Sequence, residues 1–404
     1  MHYDPFAADI VADPYPTYAW LRDEHPVHYA APTRTYVLSR YDDVARALGD
    51  PDLYSSDAML GVLLGRPTGR GEVRLPRAAA GGSLVSVDPP AHTELRRIVN
   101  RGFTPRRIGA WDARIGEVVD ELLAGAGPDL DVVAELAAPL PVRIITELLG
   151  ADPSQAARFR RWADATTKVM SGSARRGDVD ASTFVAAHEL VTYLGEHIAR
   201  RREGGDHVAV GHGGDLIGTL LRARDDDVLS TDEAVGFAAL LLFAGTETTT
   251  NLIGNAVWAL DRHRDHLDAV VDDPERLPGV VEETLRWESP VQYVFRRATR
   301  PVELHGVEIP TDAWITLLIG AANRDPRRFG PDADAFDPTR ETVGHLAFGF
   351  GPHFCLGAAL ARSETVLALR AVLARVAAAR GVDGGDELID SMQFRGRRSL
   401  RLVP

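Results

Sequence analysis

Cysteine is almost missing from this chain. Among 404 residues there is one, Cys355. A disulfide within the chain is excluded, and so is a zinc site built on paired thiolates. Such a sequence suits a reducing compartment. Positive charge is also in deficit: 45 Lys and Arg stand against 58 Asp and Glu, a net charge of −13. That balance argues against nucleic acid as a general partner. Long hydrophobic runs are lacking too. The longest apolar stretch, 236–245, gives way at once to Thr246, Glu247, Thr248, Thr249, Thr250 and Asn251. It is too short to span a bilayer and suits a buried helix. The first residues carry no basic start, apolar core or small-residue cleavage site, which argues against a secretion signal or membrane anchor. The expectation is a soluble, cytoplasmic protein.

What is present is a large chain with 45% hydrophobic residues, enough for a sizeable core. Length alone favours two domains. No compositional break divides the sequence, however, and no repeat is visible, so the expectation is one domain over 1–404. Helical periodicity dominates, most clearly at 91–102, 105–124, 231–263, 277–287 and 356–379. Strand-like pieces are short: 27–30, 36–38, 302–304, 314–318 and 399–403. Residues 302–309, with Gly306 inside, read as a hairpin. The fold class is mainly α, with a smaller β-rich portion at 27–40 and 290–320. Two glycine-rich loops stand out, 60–82 with Arg66, Arg70, Arg74 and Arg77, and 204–214 with His207 and His212. A helical pattern also covers 215–224.

Around the lone thiol the sequence runs Phe348-Gly349-Phe350-Gly351-Pro352-His353-Phe354-Cys355-Leu356-Gly357. Glycine lets the backbone turn tightly and approach a ligand closely, and the rings keep water away. A lone cysteine can be a small buried hydrophobe, a nucleophile or a metal ligand. A nucleophile needs a base and an oxyanion site, and nothing marks either. A thiolate held here could be an axial ligand to haem iron.

Three further patterns carry chemistry. Ala244-Gly245-Thr246-Glu247-Thr248-Thr249 interrupts an apolar helix face. Small Ala244 and Gly245 leave room beside the helix, and an acid next to an alcohol makes a proton relay. Threonine can also bond the preceding turn, which by itself gives only a kink. Glu283 and Arg286 lie three apart on one helix face and can pair. His92 and Arg96 lie four apart on another, and a cationic face of that kind can meet carboxylates.

The cysteine run resembles the haem-binding signature of the cytochrome P-450 family, with Phe348, Gly349, Gly351, His353, Cys355 and Gly357 in the signature positions. The other patterns follow in that family's order, and the resemblance runs from Asp4-Pro5-Phe6 to the C-terminus. It is closest to soluble bacterial members that tailor antibiotics. It implies the cytochrome P-450 fold, a large helical bundle around haem b, with Cys355 as thiolate ligand and O2 as co-substrate. Ala244, Phe348, Gly349 and Gly357 would line the haem. His92, Arg96, Arg296 (in preference to Arg297) and His353 would meet its propionates. Thr248 and Glu247 would deliver protons during O2 reduction. Glu283 and Arg286, joined by Arg340, would lock the fold near the cysteine loop.

The resemblance further implies a substrate pocket drawn from Leu84, Leu240, Phe243, Ala244, Val291, Gln292, Val294, Gln393 and Phe394, with the 60–84 loop and the 162–182 region. These are mainly apolar, which suits a mid-sized hydrophobic small molecule. Arg175 and Arg176 join the loop arginines in raising the alternative of a substrate on an acidic carrier protein. No glycine-rich dinucleotide motif or flavin domain is present, so electrons are expected from ferredoxin and ferredoxin reductase. Arg97, Arg101, Arg106 and Arg107 are candidates to steer an acidic ferredoxin. The competing readings are a peroxide-driven peroxygenase, against which Glu247 and Thr248 argue, and a non-catalytic haem-binding helper, against which Cys355 argues.

Overall fold

The computed structural model describes residues 3–57, 84–170, 181–203, 217–218, 230–391 and 393–404. Arg66, Arg70, Arg74, Arg77, Arg175, Arg176, His207 and His212 lie outside them, as does most of the helical pattern at 215–224. The chain divides into two compact units. One comprises Met1–Asp57, Asn251–Cys355 and Val372–Pro404, the other Ala58–Thr250 and Leu356–Ala371.

The first unit is built on a five-stranded sheet. Strands β1 (Val27–Ala30) and β2 (Thr35–Leu38) form an antiparallel pair. Strand β3 is Tyr54–Ser55, and β4 is Tyr293–Ala298. Strands β5 (Val302–Leu304) and β6 (Val307–Ile309) make a separate hairpin. Its two turn residues, His305 and Gly306, have φ of 51° and 75°, the left-handed pair that a two-residue hairpin turn needs. Strand β7 is Trp314–Leu318. The sheet order is β1-β2-β7-β4-β3. β7 lies parallel to β2, with Leu38 opposite Leu317, and antiparallel to β4, with Arg296 opposite Ile315. All five β7 residues are buried, as a central strand requires. Val44, Ala47 and Leu48, from the Tyr41–Gly49 helix, pack on Leu38, Ile315 and Leu317. Leu346 joins the same core and so anchors the segment that leads to the cysteine loop. Strands β8 (Gly381–Asp383) and β9 (Arg401–Val403) pair near the C-terminus.

The second unit is helical. It includes Ala91–Asn100, Pro105–Gly109, Asp112–Leu123, Pro139–Leu148, Ala156–Met170 and Ala181–Glu203. The single helix expected over 105–124 is two. The Trp111 amide bonds back to the Ile108 carbonyl at 2.8 Å, tightening the turn between them. Phe159 packs edge-on against Trp162 at 5.2 Å and against Tyr193 at 5.5 Å, pinning the two longer helices together. Trp162 is fully buried in that ring cluster. The 32-residue helix Thr231–Arg262 follows. Among the described residues no helix is long and apolar enough to cross a membrane.

A buried ionic knot ties the first unit's termini to its middle. The Glu288 carboxylate accepts from Tyr15 Oη at 2.7 Å and from Arg395 Nε and Arg397 Nη2 at 2.8 Å each, with Arg324 Nη2 at 3.5 Å. Burial alone would raise its pKa, but Arg395, Arg397 and Arg324 outweigh burial and hold it at about 2. A carboxylate held below its unfolded value contributes stability that is complete above about 4.5 and is lost as pH falls towards about 2. Glu288→Gln is therefore expected to flatten the acid limb of a plot of unfolding midpoint against pH. An unchanged acid limb would show that the knot contributes nothing to acid stability.

Candidate active site

In the first unit, the cysteine loop is a tight turn closed by its own backbone. The Cys355 amide donates to the Phe348 carbonyl at 2.8 Å, and the Gly349 amide to the Leu346 carbonyl at 2.8 Å. Gly349 and Gly351 take φ of 73° and 72°, where a side chain would be strained. Gly351 has a second constraint. A Cβ there would lie 2.9 Å from the Gly49 Cα and 3.0 Å from the Leu48 carbonyl oxygen, so glycine lets the loop seat on the Tyr41–Gly49 helix. The Phe348 and Phe354 rings lie 6.3 Å apart across the turn. Cys355 is half-buried, and Phe350 and Phe354 are 52% and 42% exposed. A half-buried cysteine on a turn that carries two phenylalanine rings suits an iron porphyrin, which needs one axial sulfur and apolar faces. It does not suit a protein-ligated metal ion: among the described residues no group of three or more His, Cys, Asp and Glu is placed to hold one. His353 lies half-buried on the same loop.

The segment leading into this loop is supported from the helix Leu277–Trp287. Glu283 and Arg286, both with fully buried side chains, form a two-point pair: Nε to Oε2 and Nη2 to Oε1, each 2.7 Å. The same guanidinium donates to the carbonyls of Asn323 (2.9 Å), Ala333 (2.7 Å) and Ala335 (3.0 Å). Arg340 Nε stands 3.6 Å from Glu283 Oε1. Asn323 then reaches forward, its Oδ1 accepting the Leu346 amide at 2.6 Å. The pair thus fixes the start of the cysteine loop through one intermediate residue.

Arg296 is buried on β4, with its Nη1 donating to the Phe295 carbonyl at 2.8 Å. The rival Arg297 is half-buried and meets Asp312 at 3.3 Å and Asp57 at 3.9 Å. The two neighbours are therefore placed differently on the strand, Arg296 buried and Arg297 paired with Asp312 and Asp57.

In the second unit, the acid–alcohol pair sits on the long helix. Thr248 Oγ1 donates to the Ala244 carbonyl at 2.8 Å, and Thr246 Oγ1 to Leu242 at 2.8 Å. Threonine hydroxyls thus share two carbonyls of one helical turn, those of Leu242 and Ala244, with the helix ladder, which loosens it. Thr248 has spent its only donor, and its lone pairs stay available to accept. Glu247 is half-buried and Ala244 is exposed. Among the described residues a Cβ at Gly245 would touch Ile145 carbons at 3.6 and 3.8 Å, ordinary contact, so no clash requires glycine there. On the helix Ala91–Asn100, His92 is buried and Arg96 half-buried. Gly357 carries the carbonyl that accepts the Ala361 amide at 2.9 Å, at the start of the helix Ala358–Ala378.

The expected pocket residues are placed in varied surroundings. Leu84 is buried, while Leu240 and Phe243 are half-buried. In the first unit, Val291 bridges to Phe394, Val294 packs against the sheet core, and Gln393 Nε2 donates to the Tyr293 carbonyl at 3.4 Å. Gln292 is buried, its amide nitrogen held on the Ser289 carbonyl at 2.7 Å. Gln292 and Phe394 together line a small cavity of about 20 Å³ with Tyr3, Tyr18 and Arg395. Among the buried acids that the sequence reading did not single out, two stand out by their electrostatics. One is Glu288. The other is Glu364, whose carboxyl burial pushes well above the usual range. Neither has a local pattern that announces it.

The comparisons with known proteins agree with this geometry. Residues 186–378 match the family model described as Cytochrome P450. Cytochrome P450 107B1 of Saccharopolyspora erythraea is 40% identical, the match covering 97% of this chain and 95% of that protein. The 6-deoxyerythronolide B hydroxylase of the same organism is 38% identical, over 93% and 91% of the two chains. The solved structure of P450BioI in complex with an acyl carrier protein ligated to hexadec-9Z-enoic acid superposes with a TM-score of 0.86 at 28% identity, covering 98% of this chain and all of that one.

Proposed function

The chain belongs to the cytochrome P450 family, and on that premise we propose that it inserts one oxygen atom of O2 into a C–H or C=C bond of a mid-sized hydrophobic natural product. What carries this reading is the loop around Cys355, a glycine turn that holds the half-buried cysteine beside the Phe348 and Phe354 pair. Cys355 would hold the iron of haem b, and His92, Arg96, Arg296 and His353 would meet the propionates. Bound haem supplies dioxygen activation, for which a thiolate ligand favours O–O cleavage. Phe348 and Phe354 would limit the access of water to the sulfur once haem is bound. Thr248, its donor committed to Ala244, offers lone pairs that hold a proton donor in place. Glu247, one residue away, relays protons from solvent. The small side chain of Ala244 leaves space for the reacting molecule.

Electrons come from ferredoxin and its reductase. Arg97, Arg101 and Arg106 are exposed and Arg107 half-buried, which supports a basic face for an acidic carrier of electrons. The relative named for hydroxylating 6-deoxyerythronolide B supports a hydrophobic small-molecule substrate. The carrier-protein complex of P450BioI supports the variant in which the substrate arrives tethered. The whole chain then works as one domain in the cytoplasm.

The test begins with a panel of hydrophobic macrolactones, cyclic peptides and terpenoids, screened for a low-to-high-spin shift. A hit is then turned over with ferredoxin, its reductase and ¹⁸O₂. One labelled oxygen per product, with a rate that falls as salt rises, is expected. Turnover at the same rate with peroxide alone would establish the peroxygenase instead.

A further inference from the structure

We propose that His345 and Glu282 are a positioning pair, a second tether that fixes the backbone entering the cysteine loop and so keeps Cys355 in its iron-ligating geometry. This rests on the reading of Cys355 as axial ligand. The pair itself stands on geometry within the first unit.

The His345 side chain is only 5% exposed, and its Nε2 lies 3.1 Å from Glu282 Oε2. Its Nδ1 lies 3.2 Å from the Ala347 amide, which can only donate. One ring nitrogen faces an acceptor and the other faces a donor. That arrangement satisfies a neutral ring carrying its proton on Nε2, and no other tautomer. The ring lies 6.0 Å from Phe348. Phe348 in turn receives the Cys355 amide at 2.8 Å.

Glu282 and Glu283 are neighbours on one helix, and they reach the same segment by separate routes. Glu283 acts through Arg286 and Asn323 on the Leu346 amide, and Glu282 acts through His345 on the Ala347 amide. Consecutive amides are thus held by two independent supports, one ionic and buried, the other a histidine bridge. A loop of glycines with left-handed φ has little rigidity of its own. Fixing both amides just ahead of Phe348 supplies it.

The test uses the holoenzyme and reads backbone exchange and the reduced, carbon-monoxide-bound spectrum. His345→Phe removes both hydrogen bonds. It is expected to speed hydrogen exchange of the Ala347 and Cys355 amides by about tenfold or more. It should also move part of the absorption band from about 450 nm towards about 420 nm, the sign of a lost thiolate bond. His345→Asn keeps an oxygen where Nδ1 was and should restore most of both readouts. His345→Gln can reach Glu282 but not the Ala347 amide, and should not. Glu282→Gln still accepts from Nε2–H and should resemble the unaltered protein, whereas Glu282→Leu should fall between. A ¹⁵N spectrum of the unaltered protein should show His345 Nδ1 unprotonated. Unchanged exchange and an unchanged band in His345→Phe, or a proton on Nδ1, would overturn the proposal. If the unaltered protein itself lacks the band near about 450 nm, the ligation reading fails, while exchange at Ala347 still decides whether the tether exists.

Discussion

Glu283→Gln is expected to lower the free energy of unfolding by about 3–5 kcal/mol, because it strands a buried cation. Arg286 has no solvent to fall back on: its side chain is fully buried, and two of its nitrogens donate to Glu283 at 2.7 Å. Glutamine keeps one acceptor and adds a donor where an acceptor is needed. The Asp337 amide, 2.8 Å from Glu283 Oε1, is threatened as well. Replacing a whole buried ion pair by apolar residues is often harmless, but here Glu283→Leu with Arg286→Met should not rescue. Arg286 also serves the carbonyls of Asn323, Ala333 and Ala335, which would be left without donors. Urea titration should therefore show a large loss in both variants, together with haem loss on gel filtration. A cost under about 1 kcal/mol for Glu283→Gln would mean that the pair is peripheral to the fold.

Thr248→Val is expected to reduce product formation by about 10²-fold while leaving haem binding and the substrate-induced spin shift intact. Valine has the shape of threonine without the hydroxyl, so it removes the bond to Ala244 and the lone pairs together. Electrons should still be consumed, and peroxide should appear in place of product, because proton delivery is no longer timed. Thr248→Ser should keep most activity, since serine retains the hydroxyl. Glu247→Gln should slow the reaction by a similar factor and enlarge the solvent isotope effect. Equal coupling of electrons to product in Thr248→Val and the unaltered protein would remove Thr248 from proton handling.

The parts of this molecule that could be read in advance are those written in consecutive residues. The cysteine run spells out its own geometry, since Gly349 and Gly351 take the left-handed φ that only glycine adopts freely. Glu283 and Arg286 needed only helical spacing, and the Thr248 bond needed only a helix and a threonine. The 302–309 hairpin likewise declared itself through Gly306. Strand β4 did not register as a strand-like piece, although 290–320 was expected to be β-rich. Its sequence, Tyr-Val-Phe-Arg-Arg-Ala, carries two arginines, and its structure comes from pairing with β7 and β3. The Glu288 knot draws on Tyr15, Arg324, Arg395 and Arg397, separated by up to hundreds of residues, so no local pattern could disclose it. The bridge from Glu282 to His345 spans 63 residues and was invisible for the same reason.

The most direct test of the account is the absorption spectrum of the reduced, carbon-monoxide-bound protein, alone and as Cys355→Ser. Thiolate ligation predicts a band near about 450 nm that disappears in the variant. A band near about 420 nm in the unaltered protein, or a 450 nm band of about the same height in Cys355→Ser, would show that the lone cysteine does not hold the iron.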